Sequence, residues 1–513
     1  MSVGQIVNSK WFYIFCLVII LGVSLIFRLI NISQENFSLD EAFSVHNAQH
    51  NLGDITRIIA NENYPPLYQY LLHFWLNISG VSEGSARSLS VIIGLLSIVI
   101  MYLLGKEIFG RKVGLWAAFL TGISAFHIEF SQEARMYIFL FLLSASTTLF
   151  LWKALQSGKK KYLFWYSLFS ILNLYTHFFA IVFLACQFLF AVYYFIIKRS
   201  PYILRRNYLI SLLMIVIVFA PWLPNLINRF IFFQKGFWAL ETPLTIPDII
   251  SHLPHYFFLN YSYGENVTFF AVIPFLYYLI PITLLIFAFN YRKREERREL
   301  YNKLLFLFIS YLLPIAISYA VHIYSLRYLI IILVPLYLIM AKGLEGLRKP
   351  YLKEAVIILI LIMMVPAWAE VLRVHFDWPR VAQYITRQEK DKDAIILYSP
   401  MHEYLFGYYY QGATPVKAYF PLAQHNKRDD ETERLKYSGF VIIDERTVDA
   451  EIAYLTYGYD RVWLVAFQQR ILDENNLVRD WLNKDYQFES YADFPYRFVN
   501  EQVKVFLYSK KQQ

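Results

Sequence analysis

Two adjacent carboxylates, Asp40 and Glu41, follow the first long apolar run of the chain. They open a predicted helix over residues 40–50, which either Ser38 or Asp40 can cap. The ordinary role of such a pair is to cap the helix and to favour its dipole. A carboxylate next to a bilayer is costly when it has no partner, so the pair needs a further reason for its position.

Charged side chains of both signs recur between later apolar runs. Glu133 and Arg135 lie in the tight connection after the third run, and Arg327 opens the tenth. Boundary charges of this kind can simply extend their charged ends towards water. A guanidinium also matches phosphate in charge and geometry, so Arg327 and Arg135 are candidates for binding a phosphate.

Three polar residues complete the candidate substrate site. Glu62 and Tyr64 precede a pair of prolines that predicts an extended turn and then a helix from about Leu67. His177 ends the fifth apolar run. It either lines the site or is an ordinary hydrogen-bonded histidine at the membrane interface.

A metal site is the weakest of these expectations. His46 and His50 are four residues apart, which places them on one face of the predicted helix. Two histidines alone are a poor metal site, and a surface-facing pair is the more common case. We therefore expect no required cofactor, and a divalent metal stays open.

The composition is that of a membrane protein. Hydrophobic residues make up 57% of the 513 residues and charged ones only 17%, while aromatic residues reach 19%. Long apolar runs predict about eleven membrane spans. Their approximate limits are 11–30, 88–105, 113–130, 136–152, 162–178, 179–197, 208–224, 269–290, 304–321, 328–341 and 354–369.

Basic residues orient these spans. The net charge of +9 does not indicate nucleic acid, because the basic residues gather in alternate short connections. These connections hold Lys106/Arg111/Lys112, Lys153/Lys159/Lys160/Lys161, Lys198/Arg199/Arg205/Arg206, Arg292/Lys293/Arg294/Arg297/Arg298 and Lys342/Arg348/Lys349/Lys353. The positive-inside rule makes them cytoplasmic, so two long loops, 31–87 and 225–268, and everything after residue 370 lie outside.

The last part of the chain differs in character. After residue 370 the apolar runs shorten to strand length at 394–398, 440–443, 462–467 and 503–508. Helical patterns separate them near 378–389, 448–456 and 472–483. We therefore predict a membrane domain at 1–369, with catalytic loop 31–87, and a soluble extracytoplasmic α/β domain at 370–513.

The order of these motifs resembles the GT-C superfamily of membrane glycosyltransferases. The similarity is to the protein O-mannosyltransferase and aminoarabinose transferase branch, of the dolichyl-phosphate-mannose type (family 39-like). The matching elements are Leu-Asp-Glu-Ala at 39–42, Tyr-Pro-Pro-Leu-Tyr at 64–68, Gln-Glu-Ala-Arg-Met-Tyr at 132–137, Tyr-Thr-His at 175–177, Arg-Tyr-Leu at 327–329 and Asp-Trp at 377–378. The family often has His-Pro-Pro where this chain has Tyr64-Pro65-Pro66, so no imidazole role is carried over to that place.

The resemblance implies a fold and an activity. It implies a polytopic helical GT-C membrane domain that transfers a sugar, hexose or pentose, from a polyprenyl-phosphate carrier. The acceptor, which is a glycan, a lipid or a protein, reacts at the outer face of a bacterial cytoplasmic membrane. Asp40 is then the general base of an inverting displacement, with Glu41 as its partner.

Three other functions remain open at this stage. A transporter or flippase for lipid-linked sugars would also hold charges among many spans, but it predicts inverted repeats and broken mid-membrane helices. A polysaccharide polymerase or ligase would favour Arg and His over an Asp-Glu base. A receptor-like protein would leave the two charged pairs unexplained.

Overall fold

The structure is a computed structural model that describes residues 9–60, 62, 64–232, 283–287, 294–320, 326–374, 378–420, 443–495 and 502–511. The predicted outer loop at 225–268 lies outside these residues from position 233 onward. Most of the predicted span 269–290, Asp377 and nearly all of the predicted strand at 440–443 also lie outside them.

The described residues before Leu372 form mainly α-helices. Their bounds are α1 Lys10–Leu29, α2 Leu39–Ala48, α3 Leu52–Ile59, α4 Leu67–Ser79, α5 Glu83–Phe109, α6 Arg111–Ile123, α7 Ala125–Ser131, α8 Tyr137–Ser157, α9 Lys160–Leu174, α10 Phe179–Ile197, α11 Tyr202–Phe219, α12 Leu223–Phe232, α13 Arg294–Leu307, α14 Leu313–Ala320, α15 Leu333–Gly346 and α16 Pro350–Val371. A short 3₁₀ segment, Leu326–Ile332, precedes α15.

Many of these helices cross a membrane. Among the described residues, seven helical stretches are long and apolar enough to span a bilayer, or eight when the bent pair α6–α7 counts as one. The protein is therefore a multi-pass membrane protein, as predicted. Helices α9 and α15, with 15 and 14 residues, coincide with predicted spans but are shorter than a typical span. The count of eleven stays a prediction.

Helix α2 begins where the capping pattern predicts. Ser38 accepts a hydrogen bond from the Glu41 N–H, and the Glu41 carboxylate accepts one from the Ser38 N–H. These reciprocal bonds form a capping box. Of the two predicted caps, Ser38 is the actual one, so the carboxylate of Asp40 is not used to start the helix.

The predicted span 113–130 is not one straight helix. It breaks at Ser124 into α6 and α7, which meet at a bend of 64°. The break removes helical partners from the carbonyl groups before it. Trp368 of α16 donates to the Ile123 carbonyl at 2.8 Å, and Arg28 of α1 donates to the Gly122 carbonyl at 3.1 Å.

Arg28 is completely buried and connects three parts of the bundle. Its guanidinium also donates to Ser131 at 3.1 Å and to Nδ1 of His127 at 2.7 Å. Because arginine can only donate, His127 accepts at Nδ1 and donates from Nε2 to Ser97 of α5 at 2.7 Å. This network holds the bent span in place just before the connection that carries Glu133 and Arg135.

We expect Arg28→Met to lower the melting temperature of the purified protein by several degrees. A buried polar group left without a partner costs roughly 1–3 kcal/mol, and this substitution leaves at least the Gly122 carbonyl and His127 in that state. Thermal unfolding in detergent measures the effect. The matched control is Arg111→Met, which removes an exposed arginine. Equal melting temperatures for the two variants would contradict a stabilising role of the network.

The C-terminal part is an α/β unit around a five-stranded sheet of order β2-β1-β3-β5-β4. Its elements are α17 Trp378–Thr386, β1 Asp393–Leu397, α18 Pro400–Tyr409, β2 Val416–Ala418, α19 Val448–Thr456, β3 Arg461–Ala466, α20 Gln469–Leu472, α21 Leu477–Asp485, β4 Tyr486–Pro495 and β5 Gln502–Lys510. Strand β1 pairs in parallel with β2 and β3, while β5 pairs antiparallel with β3 and β4.

The predicted fold class is confirmed, although some elements were missed. Strands β1, β3 and β5 and helices α17, α19 and α21 match predicted segments. Strand β4 was not predicted because it lies at the sheet edge, where most of its side chains are partly or fully exposed. The boundary at residues 369 and 370 stays a prediction; α16 ends at Val371.

Helix α18, which was also not predicted, connects the C-terminal part to the membrane part. The hydroxyl of Tyr409 accepts from the Phe37 N–H at 2.7 Å and donates to Glu83 at 2.9 Å. The hydroxyl of Tyr408 donates to the Val81 carbonyl at 3.1 Å. These bonds tie α18 to the residue that precedes the Ser38 cap of α2 and to the start of α5.

Candidate active site

Glu41 is the most completely bound carboxylate of the site. Its side chain is buried and forms two hydrogen bonds of 2.8 Å with the guanidinium of Arg87, which is also buried. It accepts two backbone hydrogen bonds as well, from Ser38 and from Ala134 at 2.9 Å each. Burial raises the pKa of Glu41, but Arg87 and these hydrogen bonds outweigh burial and lower it. Glu41 therefore joins α2, α5 and the connection 132–136.

Removing the negative charge of Glu41 leaves the charge of Arg87 buried without a counterion. We expect Glu41→Gln to lower stability by about 3–5 kcal/mol, the usual cost of breaking a buried ion pair from one side. The double variant Glu41→Gln with Arg87→Met is expected to lose less than the two single changes together. Thermal unfolding of the wild type, the two single variants and the double variant measures the coupling between Glu41 and Arg87. Purely additive losses of stability would contradict this coupling.

Asp40 points to a different set of partners. Its carboxylate forms an ion pair with Arg327, and both side chains are partly exposed, at 29% and 39%. Burial raises the pKa of Asp40, but the charges of Arg327 and Arg135 outweigh burial and lower the pKa to about 2. Asp40 is therefore ionised at neutral pH and remains accessible to a ligand.

Arg135 lies beside the same carboxylate. It donates to the hydroxyl of Ser44 at 2.8 Å, one helical turn after Asp40, and its guanidinium lies over the ring of Tyr64 at 4.9 Å. The Nε–H of Arg135 has no hydrogen-bond partner within the part of the chain that the structure describes. Arg327 lies 5.7 Å from the centre of the Tyr137 ring, so both guanidiniums are held against aromatic rings.

Glu133 is the third carboxylate of the site. Burial raises its pKa to about 7; the charges of Glu41 and Asp40 add to this effect, and Arg327 opposes it. Among the described residues no hydrogen bond to its carboxylate is present. A carboxyl group that changes charge near neutral pH therefore lies within the electrostatic reach of both arginines.

The other predicted residues lie around this centre. Tyr64 is buried and receives a hydrogen bond from Gln69 at 3.4 Å, and the negative charge of Glu62 acts on Tyr64. His177 is buried, accepts the Phe179 N–H at Nδ1 at 3.1 Å and packs against Tyr328. Burial, and then the charge of Arg135, lower the pKa of His177 to about 3, so its ring is neutral.

The two candidate metal ligands lie apart from the Asp40 cluster. The rings of His46 and His50 are 5.1 Å apart, and His46 packs against Tyr404 of α18 at 4.3 Å. No group of three or more His, Cys, Asp or Glu side chains suited to a metal ion occurs in the described ranges. The pair therefore gains no third ligand there.

Comparisons with known proteins agree with this architecture. A sequence profile of the family described as dolichyl-phosphate-mannose-protein mannosyltransferase matches residues 63–225. An uncharacterised protein of Aquifex aeolicus is 26% identical over 244 residues, which are 46% of this chain and 45% of that protein. The match thus spans less than half the length of this relative.

Two solved structures align over nearly the whole chain. ArnT from Cupriavidus metallidurans, bound to undecaprenyl phosphate, has a TM-score of 0.55 at 14% identity, over 95% of this chain and 97% of that one. The oligosaccharyltransferase AglB from Archaeoglobus fulgidus, in complex with an inhibitory peptide and a dolichol-phosphate, has a TM-score of 0.51 at 13% identity. That alignment covers 98% of this chain and 74% of AglB.

This chain has the GT-C fold. The predicted resemblance to GT-C membrane glycosyltransferases is thereby confirmed. Identities this low establish the fold alone, so the activity has to be inferred from the site itself.

Sequence patterns missed several residues of the candidate site. Arg87 looked like one more cation near the start of an apolar run, yet it neutralises Glu41. Ser44 could have been found from its spacing, because position 44 is one turn after Asp40 on the same helix face. Tyr137 belongs to the matching element at 132–137 but was given no role of its own. Gln69 gave no signal, since amide side chains at the ends of apolar runs are common in membrane proteins.

Proposed function

We propose that this protein is a glycosyltransferase that moves a sugar from a polyprenyl-phosphate carrier to an acceptor hydroxyl at the extracytoplasmic face of a bacterial cytoplasmic membrane. The observation that carries the proposal is the Asp40 carboxylate, which pairs with Arg327 and lies within the electrostatic reach of Arg135. A base and two cations are what transfer from a phosphate ester requires. The mannosyltransferase profile and the likeness to an ArnT that binds undecaprenyl phosphate support it.

The proposed sidedness rests on helix connectivity. Asp40 follows α1, Arg135 follows α7, and Arg327 lies just before α15. The three residues therefore share one end of the bundle. The basic connections join the opposite ends of the same helices. Because basic loops stay in the cytoplasm, the Asp40 end faces outward.

The chemistry follows from these positions. Asp40 accepts the proton of the acceptor hydroxyl while the hydroxyl oxygen forms a bond with the anomeric carbon. The bond between that carbon and the phosphate oxygen breaks, and its electron pair stays on the lipid phosphate. Arg327 and Arg135 stabilise the negative charge that develops there. One such displacement inverts the anomeric configuration.

Arg327 couples donor binding to the strength of the base. A carboxylate with a pKa of about 2 is a weak proton acceptor, and its pairing with Arg327 contributes to this low value. When the donor phosphate draws the guanidinium of Arg327 towards itself, the pKa of Asp40 rises. The base thus becomes stronger when the donor is in place.

We expect Asp40→Asn to abolish sugar transfer, because an amide cannot accept the hydroxyl proton, while the folded protein still binds the donor lipid. Mass spectrometry of polyprenyl-linked sugars and envelope glycans, in cells with the wild type or the variant, measures this. The variant is expected to accumulate one polyprenyl-linked sugar and to lack one glycan product. Normal glycans in cells with this variant would rule out Asp40 as the base.

Substitution of Arg327 by alanine should weaken binding of a polyprenyl phosphate by roughly tenfold or more, about 1.4 kcal/mol. The reason is the loss of a charge-assisted hydrogen bond to phosphate. Arg327→Lys keeps the positive charge but loses the paired N–H donors of the guanidinium. Its affinity for polyprenyl phosphate should lie between those of the wild type and Arg327→Ala. Binding of a fluorescent polyprenyl phosphate to the purified proteins measures the affinity, and an unchanged affinity in the alanine variant would speak against a phosphate role.

Glu133 predicts a pH dependence of donor binding. Below a pH of about 7 its carboxyl is neutral, and above it the carboxylate competes with the lipid phosphate for Arg327 and Arg135. The KM for the donor should therefore rise as the pH increases through about 7, and Glu133→Gln should remove this rise. Glu107→Gln, at the other end of α5, is the control. The same pH profile in all three proteins would contradict this role.

A further inference from the structure

A cavity of about 390 Å³ lies between α2 and α18, apart from the Asp40 cluster. It is lined by Ala42, Val45 and His46 of α2 and by Gln49, the residue just after α2, which follow the helical repeat along one face. Asp40 and Ser44 lie on the other face, towards Arg327 and Arg135. The cavity and the reacting centre are therefore separated by the width of one helix, about 10 Å.

The chemistry of its walls indicates the ligand. Three aromatic side chains, Phe37, Tyr404 and Tyr408, contribute to the lining, together with the polar side chains of His46, Gln49 and Glu403. Ring faces pack against the C–H faces of a sugar, while amide, imidazole and carboxylate groups exchange hydrogen bonds with its hydroxyls. No lysine or arginine belongs to the described lining, so the cavity has no cation for an anionic group.

The walls are held in place before any ligand binds. The ring of Tyr408 packs edge-on against Phe37 at 5.0 Å, and Tyr404 packs against His46 at 4.3 Å. Tyr409, next to the cavity, bonds to Phe37 and Glu83. A preformed pocket loses little entropy on binding, which suits a weakly binding ligand such as a sugar.

Gly407 is the residue of α18 from which the cavity can be filled. It lies inside α18 and lines the cavity, and a Cβ atom placed there would meet nothing within 4 Å. Glycine inside a helix costs about 1 kcal/mol relative to alanine. A methyl group therefore fits at position 407, whereas a large side chain there would enter the cavity.

We infer that this cavity binds a sugar unit of the acceptor, a few units away from the hydroxyl that reacts at Asp40. The inference rests on the proposed function, because an acceptor is needed only if the protein transfers a sugar. A polyprenyl chain is a poorer occupant, since it would leave Glu403, Gln49 and His46 facing hydrocarbon. The cavity would give the C-terminal part a direct share in acceptor selection through α18.

The test uses a matched pair of substitutions at one position. Gly407→Phe fills the cavity from α18, whereas Gly407→Ala adds one methyl group in open space. Saturation-transfer NMR on the full-length protein in detergent measures binding of D-glucose, D-mannose, D-galactose, N-acetyl-D-glucosamine and their disaccharides. We expect at least one sugar to bind the wild type and Gly407→Ala, with at least a tenfold loss in Gly407→Phe and in Tyr404→Ala.

Three results would overturn the inference. They are no binding of any sugar in the panel to the wild type, equal binding to the wild type and Gly407→Phe, or binding of choline in preference to every sugar. A choline-selective cavity would be a cation site made by Glu403 and the aromatic rings. Melting temperatures of both Gly407 variants at or above that of the wild type ensure that a loss of binding is not a loss of folding.

The binding assay separates this inference from the proposed function. It requires no transfer, so Asp40→Asn protein should bind the sugar as the wild type does. If the sugar binds but Asp40→Asn leaves the cellular glycans unchanged, the proposed function fails and the sugar site stands. If the glycans change but no sugar binds, the transferase stands and the cavity has no part in acceptor binding.

Discussion

The carboxylate of Glu41 and the guanidinium of Arg87 form a buried ion pair on which the geometry of the whole site depends. Neither charge is exposed to water, so each requires the other, and the Ser38 and Ala134 N–H groups satisfy the remaining oxygen positions of the carboxylate. A buried pair of this kind contributes little to net stability, but it is costly to break from one side. It therefore fixes α2 against α5 and fixes the connection 132–136 against both.

The reactive groups occupy the surfaces that this pair aligns. Asp40 precedes Glu41 on α2, and Arg135 follows Ala134 in the connection, so the two backbone segments joined by Glu41 also carry the proposed base and one of the proposed phosphate-binding cations. The Arg28 network adds a second constraint to that of the Glu41–Arg87 pair. It acts at the bend between α6 and α7, which leads into the connection 132–136. Arg327 comes from a distant segment and is the partly exposed member, which suits a group that must exchange a carboxylate for a phosphate.

The sequence predicted the helical membrane fold and the start of α2, and it singled out Asp40, Arg135 and Arg327, which the structure brings together. These follow from long apolar runs, from a capping pattern and from charges that are rare next to such runs. Residue chemistry alone did not distinguish Asp40 from Glu41, and Asp40 was named as the base only through the resemblance. The structure adds that Arg87, distant in sequence, neutralises Glu41. The sequence also missed α18, since the role of Tyr409 depends on its hydrogen bonds with Phe37 and Glu83, which are distant in sequence.

The sharing of Arg327 between Asp40 and the lipid phosphate is the central claim, and it can be tested without knowledge of the sugar. The measurement is the affinity for a polyprenyl phosphate of Asp40→Asn protein, with and without the additional change Arg327→Ala. If the carboxylate competes for the guanidinium, its removal strengthens phosphate binding, and the gain disappears when Arg327 is absent. An affinity that is unchanged or weaker in Asp40→Asn, or a gain that persists without Arg327, would contradict the account.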